Sequence, residues 1–267
     1  MKMKLAWLTD IHLDFLESPQ REEFFTSLKS RKMDTALISG DIGTSHNLVN
    51  LLREIDRELP IPVHFVLGNH DFYHSSISEV RAAMKMLCIA SDRLHYLTAS
   101  GVVRLSEKTT LIGHDSWADG RIGDYELSRV MLNDYFLIED LRDLSKTERL
   151  SVMKALADEA ASYLKINLSK ALEISQTVIL LTHVPPFREA CWHEGEISGP
   201  DYLPHFSCKA VGDVILDIMK ERPDKKLIVL CGHTHSSGEV RILKNLTAYT
   251  GGAVYGAPKI QRIFKFP

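Results

Sequence analysis

Short β-rich apolar runs recur along the chain, and helical patterns separate them. Runs at 5–8, 35–38, 63–67, 109–112, 178–181 and 227–230 read as buried strands, with two more at 246–249 and 262–266. Ser18-Pro19 reads as an N-cap and first-turn proline ahead of Phe24, Phe25 and Leu28. Leu48, Leu51, Leu52, Ile55 and Leu59 keep a helical period that Pro60 stops. Ser76 to Glu79 and Ser145 to Glu148 have the form of capping boxes. The second opens a stripe at Leu150, Met153, Ala157, Ala160, Leu164 and Leu168, and Val211, Val214, Ile215, Ile218 and Met219 mark the last clear helix. Strands alternating with helices predict βαβ units, an α/β fold whose largely parallel inner sheet is flanked by helices. Residues 117–172 break that rhythm: they are helical and charged, either an insertion over one end of the sheet or part of the helical layer. With no linker in the sequence, 1–267 reads as a single domain.

Composition narrows the class. With 45% apolar and 25% charged residues, the chain is ordinary for a soluble globular protein. Its length allows a full core without disulfides or structural metals. The balance of 32 basic against 35 acidic residues gives −3, so a nucleic-acid partner is not favoured. Cys88, Cys191, Cys208 and Cys231 form no C-x-x-C pair and read as buried reduced thiols. No apolar run reaches the roughly 18–20 residues that span a bilayer. The N-terminus starts basic but turns acidic at Asp10, too soon for a secretory leader, so no membrane association and a cytoplasmic location are expected.

The informative residues follow the strands. In open α/β sheets, sites form beyond the carboxyl ends of the strands. In order, those ends read Asp10-Ile11-His12, Gly40-Asp41, Gly68-Asn69-His70-Asp71, Gly113-His114-Asp115, Thr182-His183 and Gly232-His233-Thr234-His235. Five of the twelve histidines (His12, His70, His183, His233, His235) sit there. Imidazole with carboxylate suits zinc, iron or manganese. On an extended chain, Asp-x-His and His-x-His put both donors on one side, able to grip one ion or two neighbours. Gly40, Gly68 and Gly232 permit tight turns close to the ions.

These motifs in this order resemble the calcineurin-like metallophosphoesterases. The match runs from residue 10 to 235. The resemblance implies a four-layer α/β/β/α sandwich with a dinuclear metal site at the strand C-terminal ends. Carried over residue by residue, Asp10, His12 and His235 would hold one metal, Asn69, His183 and His233 the other, and Asp41 would bridge them. His70 matches the family's catalytic histidine, acting as imidazolium on the phosphoryl oxygen or leaving group, and Asp71 could orient it. Two such ions about 3.5–4 Å apart hold and acidify an attacking water. The ions themselves, manganese, iron or zinc, stay open. His114, Arg121 and Arg188 are candidates for substrate contact, and Trp192, Tyr202 and Phe206 could wall the pocket. The chain departs from the Ser/Thr protein phosphatases, having Leu67 where they carry arginine before Gly-Asn-His, and Gly40-Asp41-Ile42-Gly43-Thr44-Ser45-His46 for their G-D-x-x-D-R-G. A phosphomonoesterase or phosphodiesterase acting on a small phosphate ester is therefore expected. A binding scaffold that kept the fold and lost catalysis is the other reading, and seven intact donors argue against it.

Overall fold

The computed structural model describes residues 3–266; Met1 and Lys2, the basic start of the chain, and Pro267 lie outside the described residues. In chain order the elements are β1 (Met3–Leu8), α1 (Ser18–Ser30), β2 (Thr35–Ser39), α2 (Leu48–Glu58), β3 (Val63–Val66), α3 (Ile77–Ile89), β4 (Leu94–Tyr96), α4 (Leu97–Ser100), β5 (Val103–Arg104) and β6 (Thr109–His114). There follow α5 (Asp134–Leu137), α6 (Lys146–Ile174), β7 (Thr177–Thr182), β8 (Trp192–His193), β9 (Glu196–Ile197), α7 (Leu203–Phe206), α8 (Lys209–Lys220), β10 (Lys226–Cys231), β11 (Gly238–Leu243), β12 (Leu246–Thr250) and β13 (Arg262–Phe266).

The inner layer is two sheets, not one. The first runs β13-β1-β2-β3-β4 and the second β11-β12-β10-β7-β6-β5. Within them β1, β2, β3 and β4 are parallel, as are β6, β7, β10 and β12. The side-chain period of two sorts each strand between two environments. Leu5 and Trp7, Leu37, Leu111, Ile179 and Leu181, and Ile228 and Leu230 form the core between the sheets. Their neighbours Ala6, Leu8, Ile38, Ile112, Val178, Leu180, Leu227 and Val229 face the helices. Both faces are apolar, so the runs show burial without showing what covers each face. The resulting four layers are those the resemblance implied.

Local signals place most elements, with small shifts. Glu17, not Ser18, caps α1, exchanging bonds with Gln20, and Pro19 sits in the first turn. The Ser145–Glu148 capping box is complete. At Ser76 only half is made: its hydroxyl accepts from the Glu79 N–H at 3.2 Å, while the Glu79 carboxylate takes the Ser75 hydroxyl at 3.1 Å. The irregular region divides in two. Its α6 part buries Met153, Ala157, Ala160, Leu164 and Leu168 and belongs to the helical layer. Residues 117–145 are mostly turns around the short α5. The edge strands β4, β5 and β11 carry too few apolar residues for a period to show. All four cysteines are free, three of them buried. Among the described residues no helix is long and apolar enough to cross a membrane.

One strand carries a pH signature. His64 on β3 is 4% exposed and stacks on His95, ring centres 4.6 Å apart. Burial, then His95, lowers its pKa to about 3. The folded state therefore keeps His64 neutral while the unfolded chain protonates near pH 6.5. Its contribution is complete above pH 6.5 and is lost as the pH falls from there toward 3. At pH 5 the loss is about 2 kcal/mol. In urea titrations with chelator present, His64→Phe should lose about 2 kcal/mol less than wild type between pH 7.5 and 5. Equal losses in both proteins would contradict the burial of a neutral ring.

Candidate metal centre

The loops after β1, β2, β3, β7 and β10 meet at one edge of the two sheets. Backbone bonds tie them: Asp10 N–H donates to Gly40 O at 3.0 Å, His12 N–H to Asp41 O at 3.0 Å, and Gly232 N–H to His183 O at 2.9 Å. Asp10, His12, Asp41, His233 and His235 all take positive φ, between 39° and 71°. That region costs a non-glycine residue roughly 1–3 kcal/mol and gathers at functional sites. The extended chain expected at Asp-x-His and His-x-His is thus replaced by left-handed turns, and the two histidines of the latter pair go to different halves of the site. Gly40 has φ 93° and a Cβ there would meet His183 Nδ1 at 2.5 Å. At Gly68 a Cβ would fall 2.1 Å from Asp41 Oδ1 and 2.6 Å from the Asp41 nitrogen.

In the first half, one ligand atom from each of Asp10, His12, Asp41 and His235 lies within 4.8 Å of all the others. His12 Nε2 and His235 Nε2 face each other at 3.4 Å, and His235 Nε2 lies 3.4 Å from Asp10 Oδ1. The Asp10 carboxylate accepts from Thr9 Oγ1 at 2.6 Å and the His233 N–H at 3.0 Å. Burial pushes Asp10 upward, but the His235 hydrogen bond and the fields of His183, His235 and His12 outweigh it and hold the group below its usual range. Burial lowers His12 to about 4, so its ring is neutral near pH 7.

In the second half, Asn69 Oδ1 lies 2.9 Å from both His183 Nε2 and His233 Nδ1. The far nitrogen of each ring faces a backbone carbonyl: His183 Nδ1 meets Ser39 O at 2.9 Å and His233 Nε2 meets His205 O at 3.1 Å. A carbonyl only accepts, so the far nitrogens carry the protons. Burial foremost lowers both histidines, His233 to about 3, so the near nitrogens hold lone pairs. The amide is set the same way. Asn69 Nδ2 donates to Asp134 Oδ1 at 2.8 Å, and the Tyr73 hydroxyl donates to that oxygen at 2.8 Å. Three acceptors thus point at one another with no proton between them, an arrangement that fits a cation. Asp41 lies between the halves, with Oδ1 3.5 Å from His183 Nε2 and Oδ2 3.8 Å from His12 Nε2. Burial, with Asp10 and Asp71 nearby, raises its pKa well above the usual carboxylate range.

Other expected residues fall elsewhere. His70 lies beside the centre, its N–H donating to Asp41 Oδ1 at 2.9 Å and its Nε2 4.0 Å from Asp41 Oδ2. Burial, then His12, His183 and His235, lower its pKa to about 2. Burial therefore works against the imidazolium expected from the sequence. Asp71 does not orient it; its carboxylate accepts from Ile42, Gly43 and Gly68 N–H, each at 2.9 Å, and clamps two loops together. His114 is 1% exposed and its Nδ1 accepts from the Ser116 N–H, so it cannot reach a substrate. Asp115 accepts from Leu67 N–H and Arg81 Nε, joining β3 to α3. Arg121 is held by Asp119 and Asp158 at 3.1 and 2.8 Å. Arg188, exposed on a short turn, is not among the residues lining the cleft. Of the three aromatics, Phe206 lines the cleft and Tyr202 packs on it at 5.4 Å, while Trp192 lies against Gly238.

Sequence reasoning missed Asp134, Tyr73 and Tyr255. Tyr73 follows Asn69 by four residues, and Tyr255 follows the carboxyl end of β12, so reading that end would have found it. Asp134 had no signal, because it stands in the irregular segment 117–145.

The family model for calcineurin-like phosphoesterases matches residues 3–237, and the chain belongs to that family. It is thus a metal-dependent hydrolase of phosphate esters. A search of the curated proteins finds no match. Among solved structures, it is similar to a phosphopantetheinyl hydrolase from Mycobacterium tuberculosis, with TM-score 0.68 and 13% identity over 94% of this chain and 90% of that one. It is also similar to a dimetal phosphatase from Danio rerio, with TM-score 0.60 and 14% identity over 96% and 89% of the two chains. At these identities the likeness establishes the fold.

The approach at Gly68 is testable. Gly68→Ala should displace Asp41 and cost about 1–3 kcal/mol in urea unfolding, the range for overpacking. Wild-type stability in that variant would show that the two loops are not in contact.

Proposed function

We propose that the protein hydrolyses small phosphate esters, monoesters or diesters, with a water activated at a pair of metal ions. Asp10, His12 and His235 hold one ion, Asn69, His183 and His233 the other, and Asp41 is shared. The observation that carries this reading is the facing of unprotonated His183 Nε2 and His233 Nδ1 on Asn69 Oδ1, with Asp41 oxygens between them and His12. Imidazole, carboxylate and amide oxygen admit manganese, iron, zinc or a mixed pair.

Such ions supply the charge that acidifies a water and neutralises phosphoryl oxygens. The protein's own groups do the rest. Asp41 lessens repulsion between two close cations and reaches both halves from one rigid loop. Ser39 O and His205 O fix the tautomers of His183 and His233, as outer partners of metal-binding histidines do. Asp134 and Tyr73 fix the Asn69 amide. His70, 17% exposed at the cleft, offers a neutral N–H to a phosphoryl or leaving-group oxygen.

Three outcomes test this. Metal analysis and chromogenic phosphate esters with added manganese should find two ions per chain and turnover; a folded protein that binds no ions and turns over neither ester class would leave only the scaffold. Asp41→Asn should weaken both ions and lower turnover on the order of a hundredfold; full two-ion occupancy with near-normal turnover counts against a shared carboxylate. Asp134→Asn puts an amide where only an acceptor stood and lets Asn69 turn over. Titration of stripped protein should show the more weakly held ion bound roughly 10–100-fold less tightly, with apo stability measured alongside. Unaltered affinity for both ions would remove Asp134 from the site.

A further inference from the structure

Two groups of aromatic side chains stand at the cleft, each beside a different half of the centre: Tyr255, His193 and Phe206 line it, and Phe15 and Tyr202 pack against them. The Tyr255 ring lies 4.5 Å from His12 and 5.2 Å from His235, with Phe15 4.6 Å beyond it. Phe206 meets His233 edge-on at 5.3 Å, with His193 and Tyr202 5.1 and 5.4 Å from it. Phe15, Tyr255 and Tyr202 are 55%, 47% and 41% exposed, so much of their ring area stays out of the core. Flat apolar surface beside a polar cleft marks ligand contact. Between them the cleft has a volume of about 220 Å³. Its polar lining includes Asp41, Asn69, His70, Asp134, His233 and His235, and among the described residues no lysine or arginine lines it.

Charge and shape select between two ester classes. A phosphomonoester carries nearly two negative charges at pH 7 and one organic arm. A phosphodiester carries one charge and two arms. Guanidinium forks are the usual complement to phosphate, and the arginine nearest in expectation, Arg121, is spent on Asp119 and Asp158. Asp10, Asp41 and Asp134 offset much of the positive charge that two ions would bring to the centre, so a single phosphate charge needs no further cationic partner there.

Building on the hydrolase reading above, we propose that the substrate is a phosphodiester whose two organic arms rest on the Phe15–Tyr255 and the His193–Tyr202–Phe206 groups, at least one through a flat apolar ring. Water oxygen forms the new bond to phosphorus, and the bond from phosphorus to one arm's oxygen breaks. That oxygen keeps the electron pair and takes one of water's protons, while the other goes to solvent. The products are an alcohol and a phosphomonoester.

The test compares bis(p-nitrophenyl) phosphate with p-nitrophenyl phosphate on the manganese-loaded full chain, the second ester having the same ring and one arm fewer. The diester's kcat/KM should exceed the monoester's at least tenfold. Tyr202→Ala and Tyr255→Ala, both exposed, should each raise the diester KM several-fold, whereas the monoester KM, with one arm to place, should move in at most one of them. A monoester preference, or a diester KM unmoved in both variants, overturns the proposal and leaves the hydrolase reading standing. Silence toward both esters in protein that binds two ions overturns that reading and the proposal with it.

Discussion

The Asp41 carboxylate stands between two sets of imidazole nitrogens, and the rest of the site is arranged around that crowding. Acceptors this close repel unless something positive lies among them. Folding holds them together because the loops that bear them are bonded backbone to backbone, through Asp10 to Gly40, His12 to Asp41 and Gly232 to His183. Left-handed φ at five of the proposed ligands is the conformational cost of that approach. The far nitrogens of His183 and His233 meet carbonyls, so burial leaves these two rings neutral and directed rather than charged.

Two parallel stretches of sheet make the convergence possible. In each, successive strands run the same way, so loops from distant parts of the chain emerge at one edge. Buried carboxylates then serve as joints. Asp71 ties the loops after β2 and β3, and Asp115 ties β3 to α3. Asp134 brings segment 117–145 down onto Asn69. A region that looked like an interruption of the α/β rhythm thereby reaches the centre.

The period of two and the helical stripes were legible because burial acts on neighbours within a few residues. They located nearly every long element, and the strand-end motifs pointed to the loops that meet. They did not separate one sheet from two, since a strand apolar on both faces reads alike under a helix or a second sheet. They also gave no warning that His114 turns inward beside Tyr163 or that Arg121 is held by Asp158, both being matters of distant partners.

By itself, then, the sequence determined the α/β class, the family and the short list of side chains able to bind cations, because residue type and local order carry that information. Only the tertiary structure decided which tautomers His183 and His233 take, and that Asp134 and Tyr255 stand beside the cleft. Those outcomes rest on contacts between residues tens to hundreds of positions apart, where spacing along the chain carries no record of distance in space.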